Sequence, residues 1–166
     1  MFLPETLALA EAVLAACRAR GWHLATAESC TGGLVTAALT AIAGSSDVVE
    51  RGFVAHSNEA KMDLLGVSAD TIAAHGAVSA QTCAAMARGA IARAPVDLAV
   101  SITGVAGPDG GSPAKPVGLV YVAVAAGGEV AVRRFVFPGD RTAIRAAAAA
   151  EALSWLVEAG EAGSGA

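Results

Sequence analysis

The 166-residue chain has little cysteine, and what it has is unpaired: Cys17, Cys30 and Cys83 form no CxxC and no Cys/His ligand spacing. That excludes a disulfide framework and the usual metal-binding patterns, and it points to a reducing cytoplasm. Basic residues are few, with 11 Lys and Arg against 15 Asp and Glu for a formal charge of -4. A phosphate-tracking surface needs clustered cations, so a nucleic-acid partner is not expected. No basic-plus-apolar leader opens the chain, and no apolar run approaches the ~18 residues of a membrane span. The phosphate loop GxxxxGK[ST], GxGxxG after a strand, HExxH and GxSxG are all missing, which argues against nucleotide triphosphate hydrolysis and hydride transfer.

What is present suits a packed interior. Hydrophobic residues make up 55% and charged residues 16%, and the length matches one domain, placed at 1–160 with 161–166 as a flexible tail. The high apolar fraction points to a homo-oligomer. Pro4 opens a helix to about residue 20. The apolar run Trp22 to Ala27 reads as a buried strand, and Leu34, Val35, Ala38, Leu39 and Ile42 as a helix reaching Ala43. Val48 to Ala55 is a second strand. Ser57 caps a short helix, Ser68 to Ala74 is another, and Ser79 caps a longer one stopped by Pro95. Asp97 to Thr103 is a third strand, and Gly127-Gly128 is the two-residue turn of a hairpin between Val117 to Ala126 and Glu129 to Phe137. Asp140 caps a final helix, and Gly160 onward is expected to fray. Strands alternating with helices demand crossovers, so the expected fold is α/β: a three-layer α/β/α sandwich with a mostly parallel sheet plus a C-terminal antiparallel hairpin.

Ligands of such sheets collect at the carboxyl ends of strands, here Ser29, His56 and Thr103-Gly104. Ser29 falls at a strand-to-helix turn, where helix N–H groups without partners offer an anion site beside a hydroxyl. The same heptapeptide, Ala27 to Gly33, also suits a plain helix cap by Ser29 or Thr31. Lys61, in the first turns of the helix after the second strand, can accept a serine proton if its site keeps it neutral; otherwise it is a solvated surface charge. Cys30 adjoins Ser29 as a rival nucleophile. Arg141, opening the last helix, is either a phosphate ligand or a surface arginine, with Arg145 one turn on along the same face.

A set of blocks in one order runs through the chain: Ala27-Glu28-Ser29-Cys30-Thr31-Gly32-Gly33, Gly44-Ser45-Ser46, Ser57-Asn58-Glu59-Ala60-Lys61, His75-Gly76-Ala77-Val78-Ser79, Gly104-Val105-Ala106-Gly107-Pro108-Asp109-Gly110-Gly111, Lys115-Pro116-Val117-Gly118 and Phe137-Pro138-Gly139-Asp140-Arg141. Together they resemble the CinA C-terminal domain family, from about residue 5 to 158. The resemblance implies an amidohydrolase of pyridine-nucleotide salvage, converting nicotinamide mononucleotide (NMN) to nicotinate mononucleotide and ammonia with no metal or cofactor. It maps the family's serine onto Ser29 and its lysine onto Lys61. It places His56 where family members often carry tyrosine, in a position to orient the lysine or relay a proton.

On this reading Ser29 attacks the amide carbon, Lys61 takes its proton, and N–H groups near Thr31, Gly32 and Gly33 hold the oxyanion. Thr103 and the loop from Gly104 wall the ribose or ring, Asp109 bonds ribose hydroxyls, and Arg141 and Arg145 serve the phosphate. The larger CinA proteins carry an N-terminal nucleotide-hydrolysing domain, and this chain is expected to be the stand-alone form. The competing expectation is a non-catalytic nucleotide-binding or regulatory module that kept the pocket.

Overall fold

In a computed structural model that describes residues 1–162, five strands form one sheet in the order β2-β1-β3-β4-β5. Helix α1 (Pro4–Arg20) leads to β1 (Leu24–Glu28) and α2 (Leu34–Thr40), and a short 3-10 turn (Ser45–Asp47) leads to β2 (Val49–Val54). Three helices follow, α3 (Asn58–Leu65), α4 (Ala69–His75) and α5 (Ala80–Arg93), then β3 (Leu98–Gly104), β4 (Leu119–Ala126), β5 (Glu129–Val136) and α6 (Arg141–Glu161). β1 pairs in parallel with both β2 and β3, whereas β4 runs antiparallel to β3 and β5 antiparallel to β4. The expected sandwich with its terminal hairpin is the observed fold. Gly127 and Gly128 have φ of 60° and 82°, the doubly positive turn that matches the strands' own twist.

Alternation along the strands sorts the side chains by size. Leu24, Leu98, Val100, Ile102, Val120, Val122 and Val124 join α1, α2 and α6 in one core, whereas Ala25, Ala27, Ala99, Ala123 and Ala125 join Cys83, Met86, Ala87 and Ala90 of α5 in the other. Small residues on that second face let α5 lie close to the sheet. The approach of α3 to α5 is closer still. A Cβ on Gly89 would stand 1.9 Å from the Leu65 carbonyl oxygen, so only glycine fits there.

Helix boundaries differ from the expected ones in two places. α2 stops at Thr40 rather than Ala43, because the Gly44-Ser45-Ser46 break begins with the chain already turning at Ala41. Gly160 and Glu161, expected as tail, belong to α6. Buried Gly160 packs on Ala16 of α1, and Arg20 donates to the carbonyls of Gly160 and Ala162 at 3.3 and 2.7 Å. The remainder of the expected tail, 163–166, lies outside the described residues.

Sheet order decides where the site can be. The chain leaves β1 for α2 on one face and leaves β2 for α3 and α5 on the other, so the connections diverge at the carboxyl end of β1. In open α/β sheets such a divergence is where ligands collect. Ser29 directly follows β1 there, its N–H donating to Ile102 O of β3 at 2.9 Å.

Candidate active site

The turn from β1 into α2 is held by a side chain that pattern reading passed over. Glu28 is fully buried at the last position of β1. One carboxylate oxygen accepts from Val35 N–H at 2.9 Å and Thr31 Oγ1 at 2.7 Å, the other from Thr36 N–H at 3.0 Å and Thr36 Oγ1 at 2.9 Å. It thereby satisfies the exposed donors of the α2 N-terminus from outside the helix. The available signal was an acid inside an otherwise apolar strand, since a buried charge must be satisfied. Thr31 is accordingly a structural residue: its side chain is buried and turned to Glu28, not to a ligand.

Ser29 meets Lys61 at this end of the sheet. Ser57 caps α3 by accepting from Ala60 N–H at 3.0 Å, and this fixes the helix so that Lys61, one turn in, points back under the end of β2. Lys61 is 1% exposed. Its Nζ lies 2.9 Å from Ser29 Oγ, 3.0 Å from Ala55 O and 2.9 Å from His56 O. Burial lowers its pKa from the ordinary lysine value, opposed in part by the Cys30 thiol. A neutral amine has two N–H groups and one lone pair. In that form the two carbonyls can take the N–H groups, which leaves the lone pair for the serine hydroxyl.

His56 touches the backbone of Ser29 and not its hydroxyl. Its exposed ring donates from Nδ1 to the Ser29 carbonyl at 3.1 Å, while its own carbonyl accepts from Lys61. Cys30 is buried, and burial pushes its thiol up to about 11. A thiol so protonated is a poor nucleophile at neutral pH.

Several residues expected on the substrate are engaged elsewhere. The guanidinium of Arg145 donates from Nε to Cys30 O and from Nη2 to Thr31 O, both at 3.0 Å, so it grips the turn itself. Thr103 is buried and donates to Ala77 O at 2.8 Å, and Gly104 packs against Leu119 and Val120 of β4. These contacts tie the end of β3 to the segment before α5 and to β4. Gly32 N–H donates to Ser29 O at 3.2 Å and is therefore committed within the turn.

Arg141 donates from Nη1 to Gly107 O at 2.8 Å, anchoring the root of the glycine-rich loop. It remains exposed, one turn before Arg145 and so about 6 Å along the helix axis from the residue that holds the Ser29 turn. Asp109 sits at the exposed loop tip, beside a cleft of about 530 Å³ that includes Ser112 and Pro116. A second cleft, of about 540 Å³, lies at the opposite end of the sheet near Trp22, Asp97 and Glu129 and contains no nucleophile beside a base.

A family model described as the CinA C-terminal domain matches residues 6–159. The chain belongs to that family. Among its CinA relatives, the nicotinamide-nucleotide amidohydrolase PncC of Escherichia coli (strain K12) is 54% identical over 153 residues, covering 92% of this chain and 93% of that protein. A CinA-like protein of Geobacter sulfurreducens is 52% identical over 139 residues, 84% of this chain and 34% of that longer protein. In three dimensions the chain is similar to the competence/damage inducible protein CihA from Agrobacterium tumefaciens, with a TM-score of 0.93 at 46% identity over 95% of this chain and 97% of that one. It is also similar to the CinA superfamily protein ECK1530/EC0983 from Escherichia coli, with a TM-score of 0.86 at 35% identity over 96% and 94%. No helix among the described residues is long and apolar enough to cross a membrane. No group of three or more His, Cys, Asp and Glu side chains among them could hold a metal ion.

Proposed function

We infer that this protein hydrolyses the carboxamide of nicotinamide mononucleotide to nicotinate mononucleotide and ammonia. The observation that carries the reading is the buried contact of 2.9 Å between Lys61 Nζ and Ser29 Oγ, in a chain 54% identical to a nicotinamide-nucleotide amidohydrolase over nearly the length of both.

Neutral Lys61 accepts the Ser29 proton as Oγ bonds to the amide carbon, and the C=O electron pair moves to oxygen. The amides of Thr31 and Gly33 receive that oxyanion, since Gly32 N–H is already used. Collapse of the intermediate breaks the C–N bond, Lys61 returns the proton to the leaving nitrogen, and ammonia departs. Water then attacks the acyl ester, giving its proton to Lys61, and nicotinate mononucleotide leaves as Ser29 is reprotonated. Arg141, with the N-terminus of α6, holds the phosphate, and Asp109 at the exposed loop tip meets the ribose hydroxyls.

The test is ammonia release from NMN by the purified protein, alongside Ser29→Ala and Cys30→Ala. The expected result is turnover by wild type and Cys30→Ala and a loss of at least about 10³-fold in Ser29→Ala with NMN still bound. Tight binding of NMN by wild type without ammonia release would instead identify a non-catalytic module.

A further inference from the structure

The peptide groups after the nucleophile are gripped from outside by two side chains of distant elements. His56 and Gly32 N–H occupy the Ser29 carbonyl, and Arg145 of α6 occupies the next two, of Cys30 and Thr31. The chain makes room for the guanidinium: a Cβ on Gly32 would come 3.1 Å from Arg145 Nη2, and Gly32 has φ of 61°, where other residues are strained. Arg145 thus lies against a turn whose glycine leaves room for it.

A trans peptide is planar, with its C=O and N–H directed oppositely. The plane that contains Cys30 C=O also contains Thr31 N–H. Whatever fixes the first therefore aims the second. A fork of two N–H donors 3.0 Å from two successive carbonyls fixes orientation in a way that a single point charge cannot. Positive charge at the carbonyl end also polarises the peptide, which strengthens its N–H as a donor.

We propose that Arg145 is a positioning residue for the oxyanion pocket: by clamping the Cys30 and Thr31 carbonyls it aims Thr31 N–H at the oxygen that becomes negative during attack by Ser29. This rests on the amidohydrolase reading and replaces phosphate contact as the role of Arg145. Its contribution is made in the transition state, so it acts on kcat and not on substrate binding.

Two measurements on wild type, Arg145→Ala and Arg145→Lys test it. In steady-state deamidation, Arg145→Ala lowers kcat about 10- to 100-fold, less than the 10² to 10³ typical of deleting a donor, because the amide is misaimed and not removed. KM for NMN stays within about threefold, and kcat for nicotinamide riboside falls by a similar factor. Arg145→Lys restores only part of the rate, since an ammonium cannot fork to both carbonyls.

The second measurement is the rate of Ser29 labelling by a fluorophosphonate, read by mass spectrometry. There Oγ bonds to phosphorus, fluoride leaves, Lys61 takes the proton, and the P–O oxygen needs the same amide donor without any NMN chemistry. Labelling slows in Arg145→Ala in parallel with kcat. A raised KM for NMN with kcat and labelling unchanged would make Arg145 a phosphate ligand, and full recovery in Arg145→Lys would reduce its role to charge; either overturns the clamp. If Arg145→Ala does not fold, the wild type against Arg145→Lys comparison of labelling decides. A wild type that labels but releases no ammonia refutes the amidohydrolase reading while the labelling rates still judge the clamp.

Discussion

Lys61 Nζ stands 2.9 Å from Ser29 Oγ although 32 positions separate the two residues, and the amine's other two partners are the backbone carbonyls of Ala55 and His56. Burial is the larger influence on Lys61, opposed in part by Cys30, and its pKa is lowered. On the proposed mechanism the neutral form is the competent one. The rate on NMN should rise with pH through a single titration below the ordinary lysine range and then level off. Lys61→Arg, which keeps the charge and cannot deprotonate, should be nearly as damaging as Lys61→Ala. The pH–rate profiles of wild type and Lys61→Arg check this, and a highly active Lys61→Arg enzyme would remove the lysine as base.

The same shift has a consequence for stability. Folded Lys61 holds its proton less tightly than unfolded Lys61, so the native state is disfavoured while both are protonated. Stability gains from this group as pH rises from the lowered folded pKa toward the ordinary lysine value. Lys61→Gln should flatten that part of the curve. Urea denaturation of both proteins at several pH values between neutral and alkaline measures it.

Arg141 is exposed at the start of α6 and spends one nitrogen on Gly107 O. If the rest of its fork holds the phosphate, Arg141→Ala should raise KM for NMN about 10- to 100-fold, the range for hydrogen bonds to a charged group. Nicotinamide riboside, which has no phosphate, should be affected far less. An equal change for both substrates would place the phosphate elsewhere.

Glu28 accepts two N–H groups and the hydroxyls of Thr26, Thr31 and Thr36 while fully buried. Glu28→Gln puts an NH2 group against donors that need an acceptor, and should cost about 2 kcal/mol or more in unfolding free energy. Because α2 begins at the Ser29 turn, activity should fall as well. Chemical denaturation together with ammonia release separates the two effects.

Gly89→Ala would drive a methyl group into the Leu65 carbonyl. Leu65 ends the helix that carries Lys61, so the clash should displace α3, destabilise the fold by about 1–3 kcal/mol and reduce turnover together. A stable, fully active Gly89→Ala protein would show that α3 can shift without disturbing the dyad.

By itself the sequence determined the elements and their class. The alternation of apolar runs with Ser-capped helices, and the Gly127-Gly128 turn, depend on neighbours a few residues apart, so local chemistry was enough to read them. It also placed Ser29 and Lys61 at strand end and helix start, because backbone polarity at those points is local. Only the tertiary structure decided what each side chain faces. Arg141 and Arg145 share a helix face in the sequence, yet one holds the loop at Gly107 and the other the turn at Cys30 and Thr31. Thr31 and Thr103 stand among ligand-like residues and are turned inward to Glu28 and Ala77. Glu28 drew no attention as one acid in an apolar strand. Its importance arises because the α2 N-terminus folds over it, and the donors that satisfy a buried carboxylate are known only once the chain has brought them there.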